Sequence, residues 1–433
     1  MKILMFGWEF PPHIAGGLGT ACYGLTKALS KAGTKIKFIV PKTFGDEDES
    51  FMKLQGAGDV IIKKNKKFTN YKEFWENFSY FEIGSYLIPY MYPEDYEKLI
   101  TKTSYHKTKE SFEEEILSEK FNFSGNYGNN LYDEVARYAF IAGILASKKD
   151  FDIIHAHDWL TYPAGINAKK ISNKPLVIHV HATEYDRSGE NVNQKVYEIE
   201  KQGMEYADRI ITVSYLTRNI VIERYGIDPN KVFTVHNSVE PIKFPYDFKL
   251  KSNFKEKIVT FLGRVTFQKG PDYFVEAAKK VLDRDDNVRF VMAGSGDMLN
   301  KMIRRVAKLG IANKFHFAGF LKGQEVYNMY SISDVYVMPS VSEPFGITPL
   351  EAMMSEVPVI ISKQSGVSEI LKHALKVDFW DVDDLADAIY GLLHYNALSK
   401  MFKRLGKEEV DNLKWDNSAH KVIDIYKQLL PQY

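Results

Sequence analysis

Ser340-Val341-Ser342-Glu343-Pro344-Phe345-Gly346-Ile347-Thr348-Pro349-Leu350-Glu351 follows an apolar run, Asp334-Val335-Tyr336-Val337-Met338-Pro339. The run reads as a buried strand. The stretch after it ends in a helix start: Thr348 is placed to cap, Pro349 suits the first helical position, and Glu351 stands three residues beyond the cap. Glu343 therefore falls in the loop at the carboxyl end of a strand, and Glu351 in the first turn of the following helix. Ligands of open parallel sheets bind outside those strand ends. Taken alone, Thr348-x-x-Glu351 is equally a capping box, and Glu343 a solvated loop acid.

The same strand–loop–helix alternation extends to both sides. Downstream and upstream in the second half, strands are expected at 257–262, 288–293, 313–318, 334–338, 357–361 and 375–379, with helices at 381–396, 397–410 and 416–430. In the first half, strands are expected at 2–8, 35–40, 152–159 (running into a loop), 175–180, 209–213 and 231–235, with helices at 18–32 and 131–148. Residues 44–130 break the pattern and read as an insertion on the acceptor side. Its lysine run Lys63-Lys64-Asn65-Lys66-Lys67 reads as a solvated face, and Tyr86, Tyr90, Met91 and Tyr92 make it too aromatic for disorder. Pro241-Ile242-Lys243-Phe244-Pro245 reads as a linker. The expected division is 1–240, completed by a C-terminal helix at 416–433, and 241–415. The class is α/β, with two doubly wound parallel sheets.

Length and composition bound the function. A chain of 433 residues is too long for one core. Lysine plus arginine (57) balances aspartate plus glutamate (56), so the net charge of +1 gives no general attraction to nucleic acid or anionic membrane. No run approaches the ~20 apolar residues of a membrane span. The lone Cys22 rules out an internal disulfide framework, and the apolar start is too short for a signal peptide, so a cytoplasmic location is expected.

The loops carry the chemistry. Pro11-Pro12-His13-Ile14-Ala15-Gly16-Gly17-Leu18-Gly19 joins a strand to a helix, where glycines let backbone amides approach a phosphate or sugar. It lacks the G-x-G-x-x-G spacing of a dinucleotide site, and the bland reading is a close helix–strand contact. Gly263-Arg264-Val265-Thr266-Phe267-Gln268-Lys269-Gly270 holds two cations that suit a diphosphate, Arg264 as a fork and Lys269 as a point charge. A helix start near Gly366 would add amides to the same anion. Glu351 would accept from two vicinal ribose hydroxyls. His155-x-His157-Asp158 and His179-x-His181 put paired histidines on strand faces. Such pairs can bind zinc or iron. The favoured reading turns His181 and Asp158 towards a cleft and leaves His155 and His179 as core or supporting groups.

Jointly, Gly16-Gly17-Leu18-Gly19, His157-Asp158-Trp159, the strand ending in His181, Gly263-Arg264 with Lys269-Gly270, and Glu343-x7-Glu351 give a resemblance. The chain resembles, over nearly its whole length, the retaining GT-B glycosyltransferases of the GT4/GT5 group, of the glycogen/starch synthase type. The resemblance implies two Rossmann-like domains facing across a cleft, with the C-terminal helix crossing back to the first. It implies a nucleotide-sugar donor (UDP- or ADP-glucose), an α-glucan or other sugar acceptor, no cofactor and no metal. By resemblance, Arg264 and Lys269 stabilise the leaving diphosphate and Glu351 holds the ribose. His181 contacts the donor sugar, Glu343 lies beside the transferred sugar, and Asp158 lies near sugar or acceptor. Gly16, Gly17 and Gly366 bring amides to phosphate or sugar, and Gly346 and Ile347 belong to the same binding set.

Two departures bear on the substrate. Bacterial-type glycogen synthases have Lys-x-Gly-Gly in the first loop, where this chain has Ile14 at the lysine position, and they tend to lack the second glutamate that is present here as Glu351. Trp8-Glu9-Phe10-Pro11-Pro12 and His157-Asp158-Trp159 still lean towards an α-glucan synthase. The readings that stand beside it are a GT4 hexosyltransferase with a small or lipid-linked acceptor, a nucleotide-sugar epimerase, a metal-dependent hydrolase and a carbohydrate-binding scaffold.

Overall fold

A computed structural model describes residues 1–13, 16–61, 120–128, 130–240 and 255–430. The runs that read as strands form two parallel sheets. The first contains β1 (Lys2–Phe6), β2 (Lys35–Val40), β3 (Lys53–Gly56), β4 (Ile153–His157), β5 (Leu176–Val180), β6 (Arg209–Thr212) and β7 (Val232–Thr234), in the order β3-β2-β1-β4-β5-β6-β7. The second contains β8 (Lys257–Leu262), β9 (Val288–Ala293), β10 (Phe315–Gly319), β11 (Val335–Met338), β12 (Val359–Ser362) and β13 (Leu375–Val377), in the order β10-β9-β8-β11-β12-β13. Both orders reverse direction once, between β1 and β4 and between β8 and β11. That reversal opens a crevice at the carboxyl ends of those strand pairs.

Central strands are buried on both faces, which is why they read as apolar runs: every residue of β4, β5 and β11 is buried. On one face of the first sheet, Ile3, Met5 and Val177 pack with the helices Gly17–Lys31 and Trp415–Lys427. On the other, Leu4, Phe6 and Ile154 meet the helices Leu131–Ala146 and Tyr162–Ser172. The terminal helix therefore crosses back to the first sheet. Its Trp415 lies over Gly24, and only a glycine fits there: a Cβ at Gly24 would stand 2.2 Å from Trp415 Nε1.

Two expectations change. The stretch 44–130 is not wholly outside the alternation, because Lys53–Gly56 pairs with β2 as an edge strand. Lys-Leu-Gln-Gly carries one apolar side chain, so its pattern does not reveal a strand. Phe121 and Phe123, at the far end of the stretch, are buried in the first core. The lysine run 63–67, the aromatic residues at 86–92, Ile14 and the linker 241–245 lie outside the described residues. Thr348 does not cap its helix. The helix is Thr348–Met354 with Ile347 at the cap position and no side-chain cap. The Thr348 hydroxyl is instead taken by the buried Tyr336 phenol, which donates to it over 2.7 Å.

Candidate active site

Both candidate halves sit at the reversal points. The loop that ends at Gly16, at the start of the helix Gly17–Lys31, follows β1 and Asp158 follows β4, while Arg264 follows β8 and Glu343 follows β11. The first sheet's crevice thus faces the second's.

On the second sheet's side, Lys269 Nζ is ion-paired with the Glu343 carboxylate. Glu343 is 6% exposed and also accepts from Ser340 Oγ at 3.3 Å. Arg264 Nη2 donates to Gln268 Oε1 at 2.9 Å, which orients the guanidinium in the same loop. Gly346 has a φ of +99°, and a Cβ there would come within 3.1 Å of Glu343 Cγ. A glycine is needed to turn the chain so tightly round the acid. The backbone amides of Gly346 and Ile347 have no partner among the described residues. Glu351 lies in the next turn against Tyr330, whose phenol donates to it at 3.4 Å, and burial pushes its carboxyl up to about 7.

On the first sheet's side, Asp158 is 4% exposed and holds φ +64°, ψ 167°, a region that disfavours side chains. Strain of this kind is kept where the surroundings fix it. Here the carboxylate accepts from the backbone amides of His181 (3.2 Å) and Ala182 (3.3 Å), tying the end of β4 to the loop after β5. Burial raises the Asp158 carboxyl to about 6. The histidines share one sheet face. Rings of His155 and His157 stack at 4.3 Å and 13°, those of His179 and His181 at 4.4 Å and 21°. Burial holds all four neutral, His181 down to about 3.

This cluster, with buried Cys22 beside it, gathers enough nitrogen and sulfur to raise the metal question. Within it, the stacked trio His155, His157 and His179 does not have the geometry of three ligands to one ion. A ligating imidazole directs a lone pair along its ring plane, so ligands of one ion have planes that converge on it. The planes of His155, His157 and His179 lie within 13–26° of one another and send those lone pairs side by side, while the His157 and His181 planes are tilted by 37°. His157 Nδ1 and His181 Nε2 are also already hydrogen-bonded to each other at 3.0 Å.

Two expected anion contacts are spent elsewhere. The Gly16 amide donates to Glu9 Oε2 at 3.1 Å. The Gly366 amide donates to the Glu343 carbonyl at 2.8 Å and that of Val367 to the Phe345 carbonyl at 2.7 Å. The segment Gly366–Glu369 is a single 3-10 turn. Folding the β11 loop onto this turn uses the amides that a helix start would have left open. Gly17 opens its helix with no atom near a would-be Cβ.

Sequence reasoning passed over Glu9 as a site residue. It is 7% exposed, accepts from Gly16 and from the Tyr127 phenol (2.7 Å), and lies close enough to Asp158 and Arg264 for each to influence its charge. The signal was present: an acid just past β1, at the reversal point. Ser342, beside Glu343, donates to Asp186 Oδ1 of the first sheet's side at 2.6 Å. Nothing local in the sequence marks that contact, because 156 positions separate the two.

Comparison with known proteins agrees with this fold. Residues 2–234 match the family model of the starch synthase catalytic domain, and residues 243–409 that of the glycosyl transferases group 1. The chain is 29% identical to an uncharacterized glycosyltransferase of Methanocaldococcus jannaschii, over 99% of this chain and 98% of that protein. It is 22% identical to a glycogen synthase of Mycobacterium tuberculosis, over 98% of this chain and 94% of that one. A solved sucrose-phosphate synthase of Thermosynechococcus elongatus superposes with a TM-score of 0.69 at 18% identity, covering 99% of this chain and 98% of the other, a likeness of fold.

Proposed function

Since the chain belongs to the starch synthase catalytic-domain family of GT-B glycosyltransferases, we propose that it transfers glucose, with retention, from UDP- or ADP-glucose to the non-reducing end of an α-1,4-glucan. What supports this reading is that Arg264, Lys269 and Glu343 follow β8 and β11 at one reversal point while Asp158 follows β4 at the other, with His181 tied to Asp158 from the end of the neighbouring β5 and Glu9 close to both Asp158 and Arg264. Residues 1–240 with the terminal helix form the acceptor side, and 241–415 the donor side.

Breaking the sugar–phosphate bond builds negative charge on the diphosphate and positive charge at the anomeric carbon. Arg264, Lys269 and the amides of Gly346 and Ile347 stabilise the departing diphosphate, so the reaction runs without a metal. Glu351 holds the ribose hydroxyls. Glu343 faces the developing cation, and the leaving phosphate oxygen takes the acceptor hydroxyl's proton on the same face. His181 hydrogen-bonds the donor sugar, Asp158 holds the loop that presents it, and Gly16 and Gly17 shape the acceptor entrance next to Glu9. Among the described residues no helix is long and apolar enough to cross a membrane.

A second reading, hexosyl transfer to a small or lipid-linked acceptor, is favoured by Ile14 at the loop's lysine position and by the presence of Glu351. Labelled UDP- and ADP-glucose, incubated with and without glycogen and with EDTA, separate these. Glycogen-dependent incorporation that survives EDTA supports the glucan reading. Donor consumption indifferent to glycogen refutes it.

A further inference from the structure

His157 is fully buried, 0% exposed, and none of the chemistry above uses it. Its ring lies between Phe38, at 6.1 Å, and the other imidazoles of the stack. Its Nδ1 is 3.0 Å from Nε2 of His181, while its own Nε2 is buried with no partner.

A neutral imidazole carries one N–H, so the position of a single proton decides both ends of this contact. If His181 donated, His157 would carry its proton on Nε2 and bury an N–H with nothing to receive it. The stack already buries one such N–H, because neither ring nitrogen of His179 has a partner, and a second at His157 would add its own desolvation cost; orphaned buried N–H groups are rarer than under-satisfied acceptors. If His157 donates from Nδ1, only a bare acceptor is orphaned. His181 Nε2 is then the acceptor, and the His181 proton must sit on Nδ1, for which no described residue provides a partner. The 4.4 Å stack on His179 fixes the plane of the ring, and the Tyr426 phenol hydrogen-bonded to His155 anchors the far end of the stack.

We propose that His157 is a positioning residue: it locks His181 as an Nδ1–H donor directed into the sugar-binding side of the cleft. In that state His181 offers a hydrogen bond to a lone pair of a sugar hydroxyl and has no free nitrogen with which to remove a proton. This rests on the reading of His181 as a donor-sugar contact, and it deepens that reading.

The test is nitrogen–proton correlation spectroscopy of the wild-type protein labelled with 15N-histidine, the His181 signals being assigned by their loss in His181→Asn. The Nδ1–H form is expected in the wild type, against the Nε2–H form that predominates in free histidine. His157→Leu is expected to release it to Nε2–H and to lower kcat about 10- to 100-fold with little change in KM for the nucleotide sugar, as for a misplaced catalytic contact. His157→Asn, whose amide can donate from nearly the same place, is expected to restore the Nδ1–H form and most of the rate. A wild-type His181 protonated on Nε2 overturns the inference whatever the variants do, and so does a His157→Leu enzyme with normal kcat. Full activity of His181→Ala removes His181 from the reaction altogether, a failure of the functional reading that the tautomer measurement separates from a failure of this one.

Discussion

Lys269 and Glu343 are ion-paired on the donor side of the cleft, with side chains 21% and 8% exposed. A diphosphate entering this loop competes with Glu343 for the ammonium group. Glu343→Gln should therefore bind UDP or ADP more tightly while turnover falls. The pair is largely buried, so releasing the ammonium from it is expected to raise nucleotide affinity at least several-fold. Calorimetric titration of wild type and variant decides the matter: equal or weaker nucleotide binding by Glu343→Gln would mean that Lys269 is not the diphosphate ligand.

Arg264 is held by Gln268 before any donor arrives, so its fork is preorganised. Arg264→Ala should lower single-turnover donor cleavage by roughly 2–4 kcal/mol of transition-state stabilisation, the range for removing one charge-stabilising donor. Gln268→Ala, which removes only the support, should lose much less. Near-normal cleavage in Arg264→Ala would take the guanidinium out of the mechanism.

How much of this was legible follows from range. Strands β2, β8 and β9 stand at their expected boundaries because alternation and apolar runs are local signals. Arg264, Lys269, Glu343 and Asp158 could be chosen because each follows a strand, and a parallel sheet collects such loops at one edge. What the chain order hides is who satisfies whom. The Gly16 amide goes to Glu9 and the Gly366 amide to Glu343, and the Thr348 hydroxyl goes to Tyr336. Each partner comes from another element, so no spacing rule reveals it. The paired histidines were visible, but their parallel stacking depends on the register that sets His157 opposite His179.

Glu9 makes stability depend on pH. Burial raises its carboxyl from 4.5 to about 7. The folded protein then keeps a proton that the unfolded chain releases. The stabilising contribution is full below about 4.5 and is lost as pH rises through about 7, up to about 3 kcal/mol if nothing else relaxes. Wild type should therefore lose more Tm between pH 5 and pH 8 than Glu9→Gln, which has no proton to release. Parallel melting curves for the two proteins across that range would contradict the raised carboxyl.

The contact of Trp415 with Gly24 fastens the terminal helix to the first sheet's face. Gly24→Ala adds a methyl where the indole already sits, and overpacking of that size costs about 1–3 kcal/mol. The expected result is a lower denaturation midpoint together with a red shift of tryptophan emission as the indole lifts towards solvent. Unchanged stability would show that the helix is held by other contacts.

Glu369, from the second sheet's side, caps a helix of the first. Its carboxylate accepts from the backbone amides of Tyr215 (2.9 Å) and Leu216 (2.7 Å), at the start of the helix Tyr215–Tyr225, and from His236 Nε2 at 2.7 Å. Close by, a Cβ at Gly366 would stand 2.4 Å from Ser214 Cβ, so the two halves approach to backbone distance. A carboxylate at a helix N-terminus is worth about 1 kcal/mol, and removing it leaves two amides uncapped. We expect the two halves to part and to close over the donor, with Glu369 helping to hold them together, so that Glu369→Ala shifts the population from closed towards open. Apparent donor affinity falls with the closed fraction, so KM should rise several-fold while kcat at saturating donor stays near wild type, because bound donor draws the halves together. Small-angle scattering should show a larger radius for the variant without donor and the wild-type radius with it. A fall in kcat at unchanged KM and radius would assign Glu369 to the chemistry instead of the closure.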